Sequence, residues 1–187
     1  MLIEVMNANK TIRISTKSFQ EPLNGGYCGP SSLKIILEYY GVEADLNEIS
    51  RLCHLHPALG ISDRDIGRAA DHYGFSVYIK NFATLADITR WLSRDVPVIV
   101  NWITAGRPEC RDSAVPDGHY SVVCAITPTH IVLEDPEIGR KRRIKKDDFE
   151  RVWFDFRGSR IETWRDMIIR QIIVIQPKML SRRRLAA

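Results

Sequence analysis

Gly25-Gly26-Tyr27-Cys28-Gly29-Pro30-Ser31-Ser32-Leu33 leads into the most regular helical pattern of the chain. Leu33, Ile36, Leu37 and Tyr40 recur at i, i+3, i+4 and i+7, and Gly41 ends the run. Cys28 therefore stands at a helix start. The first helical turn leaves backbone N–H groups unpaired, and the macrodipole adds partial positive charge there. Both favour a negatively charged sulfur. The neighbouring glycines let a substrate backbone approach, and Pro30 suits a first turn, where the N–H it lacks has no helical partner. A lone cysteine before a helix is more often a small buried side chain beside a loop. A second constellation downstream changes that balance.

Three further helices carry their own start signals. Asp45 can cap one, with Glu48 as capping-box partner and Leu46, Ile49 and Leu52 as the apolar face. Ser62 or Asp63 can cap another, with Ile66, Ala69, Ala70 and Tyr73 inward and Gly74 as the stop. Thr84 can cap a fourth over Leu85, Ile88, Trp91 and Leu92. The remainder reads as strands. Residues 75–79 and 96–102 are β-branched or aromatic runs, 120–126 and 130–133 flank the turn Thr127-Pro128-Thr129, and 167–175 reads as one long central strand. Helices first and strands second predict an α+β fold. Its N-terminal helical lobe would pack on a C-terminal antiparallel β-sheet, with a cleft between the two halves.

Asp117-Gly118-His119-Tyr120 opens one of these strands and Glu134-Asp135-Pro136 closes the next. A separation of 16 residues between His119 and Asp135 suits a strand, a tight turn and a returning strand. Both side chains then meet at one sheet edge. Asp135 would orient the His119 imidazole, and His119 would pair with Cys28 across the cleft.

Four pieces occur in order: Tyr27 to Leu33, the helix end Glu38-Tyr39-Tyr40-Gly41-Val42, Gly118-His119-Tyr120-Ser121-Val122-Val123, and Asp135-Pro136-Glu137-Ile138-Gly139 with Phe149 and Trp153 beyond. Together they resemble the papain-like peptidases of the C39-like, or bacteriocin-processing double-glycine, type, from about residue 20 to about residue 155. The resemblance implies a papain-like fold and a bacterial cysteine peptidase acting on a peptide or protein without a cofactor. Cys28 would be the nucleophile, His119 the general acid/base and Asp135 the orienting carboxylate. Gly26, Tyr27 and Gly118 would border the substrate. The family's oxyanion-hole Gln usually lies six positions before the Cys; here Gln20 lies eight before. Either Gly25-Gly26 loops out the excess and Gln20 donates, or Asn24 does. Two other functions stay open: a thiol acyltransferase or transpeptidase using the same site, as in the similar phytochelatin synthase type, and a non-catalytic peptide-binding module.

Composition narrows the rest. With 187 residues, 44% hydrophobic and 27% charged, the chain can bury a core, and residues 1–187 read as one papain-like (C39-like) domain with 178–187 a fraying basic tail. Four scattered cysteines make no disulfide scaffold, and no apolar run reaches membrane-spanning length. Glu4 interrupts any signal-peptide core, so a cytoplasmic protein is expected. A nucleotide-binding P-loop motif is missing, as befits a stand-alone family member. Residues 1–93 carry nine Lys/Arg against ten Asp/Glu, and residues 94–187 carry 18 against 13. Much of that excess lies in Arg140, Lys141, Arg142 and Arg143, a solvated face or a patch for an acidic partner. Asp147, Asp148 and Glu150 follow at once, which argues against nucleic acid. Cys53-His54-Leu55-His56 lacks a second pair at zinc spacing, so no metal is expected. His72 reads as a surface histidine, Cys124 as a buried hydrophobe, and Cys110 as a loop thiol. Gly25-Gly26 reads as flexibility beside the nucleophile, not as a self-cleavage site.

Overall fold

The computed structural model describes residues 11–22, 25–57, 60–104, 118–158 and 161–178. In chain order these form β1 (Ile12–Arg13), α1 (Cys28–Tyr39), α2 (Leu46–Leu52), α3 (Asp63–His72), β2 (Phe75–Lys80), α4 (Leu85–Leu92) and β3 (Val98–Ile103). Then follow β4 (Gly118–Ile126), β5 (His130–Asp135), β6 (Arg140–Lys145), α5 (Lys146–Val152), β7 (Phe154–Phe156), β8 (Met167–Ile169) and β9 (Ile172–Pro177). The main sheet runs β2-β9-β3-β4-β5-β6, every pairing antiparallel, with β1 on β4; β7 and β8 pair separately.

The architecture is the expected α+β, with both sheet faces covered. Leu33, Ile36, Ile49, Ile66 and Ala69 from α1–α3 pack on Ile99, Val122 and Ile173 on one face. Ile88, Leu92, Phe149 and Trp153 pack on Val98, Trp102 and Leu133 on the other. This explains why β3 is buried throughout: neither face meets water.

The helix caps follow the sequence. Ser62 with Asp65 and Thr84 with Asp87 form reciprocal capping boxes, each worth about 1 kcal/mol. At α2, Asp45 accepts from the Glu48 N–H at 3.0 Å, without the reciprocal bond seen at α3 and α4. The expected box there is therefore a one-way cap.

Two expectations need correction. Residues 167–175 are not one strand: Arg170 adopts φ 48°, which extended backbone cannot accommodate, so β8 turns to β7 while β9 enters the main sheet between β2 and β3. The basic patch Arg140 to Arg143 loses one member, because 140–145 forms the edge strand β6. Arg140, Lys141, Arg143 and Lys145 are exposed there, whereas Arg142 is 6% exposed and turns inward, so it leaves the surface patch. Cationic edge strands also resist unwanted strand addition.

A one-residue shift marks the β4–β5 hairpin. Near the turn Ile126 faces Ile131 and Ala125 faces Val132; beyond it Val123 faces Leu133 and Val122 faces Glu134. Cys124 is thus the extra residue of a β-bulge, with its carbonyl accepting from the Ile14 N–H at 2.9 Å. Residue count, not side chain, makes the bulge. Cys124→Ala should keep the Val122–Glu134 cross-strand contact in NMR spectra and cost about 1 kcal/mol. Deleting residue 124 removes only the unpaired residue, so Val122 should still face Glu134 and Ala125 still face Val132 in a now regular hairpin; loss of the Val122–Glu134 contact in the deletion would contradict this register.

Candidate active site

Cys28 is the first residue of α1, after Tyr27, whose side chain makes no capping bond. It is partly exposed and near enough to His119, the second residue of β4, to shift the titration of that imidazole. His119 is 5% exposed, and its Nε2 lies 2.7 Å from Asp135 Oδ1. Nε2–H therefore donates to Asp135, which leaves Nδ1 for the sulfur.

The bulge makes this meeting possible. Carried one step past Val122–Glu134, the register sets Asp135 opposite Ser121, on the same face as His119 two residues away. If Cys124 were paired and the register did not slip, Asp135 would face Val122 and the two side chains would stand on opposite faces.

Asp135 is 1% exposed and bonded on both oxygens. Oδ1 accepts from His119 Nε2 and from the Glu137 N–H at 3.1 Å, while Oδ2 accepts from Arg142 Nε at 2.5 Å. Burial pushes this carboxyl up, but His119 and Arg142 more than offset it and hold it well below the usual range. Burial likewise pulls the His119 imidazolium down. Asp135 and Cys28, by hydrogen bond and by charge, overcome this and raise its pKa well above the ordinary value.

The glycines close the packing around the site. A side-chain carbon at Gly29 would collide with Ile61, and one at Gly118 would collide with the Asp155 carboxylate. Gly26 has φ 67°, and a Cβ there would lie 2.8 Å from the Gly60 Cα, so it is a close-packed turn position and not a source of flexibility. Gln20 is exposed and lies against Gly139, in the turn that follows Asp135. Asn24, Cys110 and Asp117 lie outside the described residues, as do residues 179–187. Cys53 and Cys124 are buried, with thiols pushed up by burial to about 12 and about 11. His72 is exposed at the end of α3.

Three contributors were not anticipated from sequence: Arg142, hidden in a basic run; Trp102, whose ring lies edge-on to His119 at 5.9 Å; and Asp155 against Gly118. The period-2 pattern of 140–145 could have revealed Arg142, since it shares a face with the apolar Ile144. His119, Asp135 and Glu137 bring potential ligand atoms within 4.8 Å of one another, but Arg142 bonds Asp135 and faces Glu137, and its charge opposes a cation.

A model of the peptidase C39 family matches residues 21–156, more than half of the chain. The chain belongs to the peptidase C39 family. Among solved structures, the peptidase domain of Streptococcus ComA, a bi-functional ABC transporter involved in quorum sensing, is 21% identical with a TM-score of 0.62; the match covers 87% of this chain and 98% of that one. The double-glycine-motif protease of an AMS/PCAT transporter, solved with its leader peptide, is 16% identical with a TM-score of 0.63, covering 88% and 94%. A protein assigned to the C39-like peptidases of Bacillus anthracis is 12% identical with a TM-score of 0.67, covering 91% and 99%. At these identities the likeness establishes the fold, which is papain-like. No curated protein matches the chain. Among the described residues, no helix is long and apolar enough to cross a membrane.

The raised His119 value links the C39 site to stability. The folded chain binds this proton more tightly than the unfolded chain does. The resulting stabilisation is complete below about pH 6.5 and is lost as pH rises through the folded-state value. Urea titrations should show the wild type losing stability relative to His119→Gln as pH rises above about 6.5. A pH-independent difference would contradict the shift.

Proposed function

We propose that this C39 family member is a cysteine peptidase that hydrolyses peptide bonds through Cys28, His119 and Asp135. The observation that carries this reading is a buried imidazole bonded at 2.7 Å to a buried carboxylate, with a helix-start thiol close enough to shift its titration. The Cys28 sulfur attacks the substrate carbonyl carbon, giving a tetrahedral oxyanion. The Cys28 N–H, free of helical partners by its position, and the Gln20 amide hold that oxygen. His119 gives the Nδ1 proton to the departing amine, leaving a thioester on Cys28. Neutral His119 then takes a proton from water as its oxygen attacks the thioester. The acid product leaves and the thiolate–imidazolium pair returns.

The substrate is a peptide or protein segment passing Gly26, Tyr27 and Gly118. Support for Gln20 comes from its seat against Gly139, which ties it to the turn carrying Asp135. Arg140, Lys141 and Arg143, exposed on β6, offer charge to an acidic partner or substrate segment. Every step uses only protein groups and water.

A quenched-fluorescent peptide library tests the reading. The wild type should cleave members of it, and Cys28→Ala should fall by about a thousandfold or more, to background. Cleavage retained in Cys28→Ala would overturn the proposal. Products bearing an added amine in place of water would redirect it to acyl transfer.

A further inference from the structure

Arg142 is an arginine almost wholly withdrawn from water, between two exposed cations on an edge strand. Burying a guanidinium is costly unless its charge and its donors are met. Arg142 Nε bonds Asp135 Oδ2 at 2.5 Å, its Nη2 stands 3.6 Å from Glu137 Oε2, and its guanidinium lies 6.0 Å from the centre of the Trp102 ring.

The sheet register explains the reach. Leu133 pairs with Arg142 and Asp135 with Arg140, so Arg142 meets Asp135 diagonally on one face. His119 meets the same carboxylate diagonally from β4, on its other side. Asp135 is thus gripped from both neighbouring strands, one oxygen to each, with the Glu137 N–H as a third anchor. The bonds from His119 and from that N–H both fall on Oδ1, so Arg142 is what reaches Oδ2 from the β6 side.

We propose that Arg142 is a positioning residue: it fixes the second oxygen of Asp135 so that the first stays aimed at His119 Nε2. The proposal rests on the reading of Cys28, His119 and Asp135 as the reacting group. Arg142 acts through Asp135 and touches no substrate.

Among the described residues, the groups facing His119 are Cys28 from α1, Asp135 from β5 and the Trp102 ring from β3, with Arg142 and Glu137 one step beyond Asp135. Two effects of losing Arg142 therefore carry opposite signs. If Arg142 positions Asp135, its loss frees the carboxylate, weakens the bond to His119 and moves the His119 titration to lower pH. If Arg142 acts only as a nearby cation, its loss removes repulsion and moves that titration to higher pH.

The test compares the full chain with Arg142→Met and Arg142→Lys. It reads kcat and KM across pH and, separately, the His119 titration by NMR. For Arg142→Met, kcat should fall by about tenfold or more with KM within about twofold, and His119 should titrate at lower pH. Arg142→Lys keeps a charge but not the planar fork, so it should show the same changes, smaller. An upward or absent shift in Arg142→Met overturns the proposal. So does an Arg142→Lys protein that matches the wild type in both readouts, and that comparison decides alone if Arg142→Met does not fold. The NMR arm is independent of activity: a wild type that cleaves nothing would sink the peptidase reading while the His119 titration still judged Arg142.

Discussion

Because side chains alternate along a strand, His119 can meet Asp135 only if the β4–β5 pairing slips by one residue between the turn and the cleft. Cys124 supplies that slip as a β-bulge. The rest of the site inherits its geometry from this irregularity. The His119 ring is set over the edge of α1, where Cys28 waits, and Asp135 falls between diagonal partners on two strands. The bulge is itself secured: its carbonyl accepts from the Ile14 N–H, and the segment beyond β1 is tied down where Thr16 and Ser18 donate to the buried Glu134. That same segment ends at Gln20. One strand, β5, therefore anchors both the carboxylate and the approach to the proposed oxyanion donor.

Electrostatics complete what register begins. A buried imidazole would ordinarily shed its proton, yet His119 is flanked by a carboxylate on one nitrogen and by a thiol on the other, and it holds the proton more firmly than in water. Asp135 can serve that role because its own charge is secured by His119, Arg142 and a backbone N–H. Close backbone packing keeps the geometry narrow. Gly29 admits Ile61, Gly118 admits the Asp155 carboxylate, and Gly26 meets Gly60, so the sulfur and the imidazole have little room to drift.

Much of this was legible in the sequence because it rests on short-range chemistry. Caps at Asp45, Ser62 and Thr84 and the helix start at Cys28 are local signals with local causes. What escaped depends on tertiary context. The break at Arg170 lets Gln171 bury its amide against Asp63 and Asn81, and nothing in the apolar run 167–175 announces that network. Arg142 looked like surface charge because its neighbours are surface charge; its shared face with Ile144 was a faint signal, and the pairing of β6 with β5 shows that it faces inward. The bulge at Cys124 was invisible too. Counting residues around the hairpin suggested that His119 and Asp135 reach one edge, but the parity that puts them on one face depends on a register that sequence does not state.

The central claim, that His119 held by Asp135 makes Cys28 a nucleophile, is tested most directly by covalent capture. Native protein is treated with a peptidyl halomethyl ketone, and the modified residue is located by intact mass and peptide mapping. The account predicts one adduct on Cys28 in the wild type, with labelling slowed by about a hundredfold in His119→Ala although Cys28 is retained. Labelling of Cys28 at the same rate with and without His119, or no labelling of Cys28 in folded protein, would contradict it.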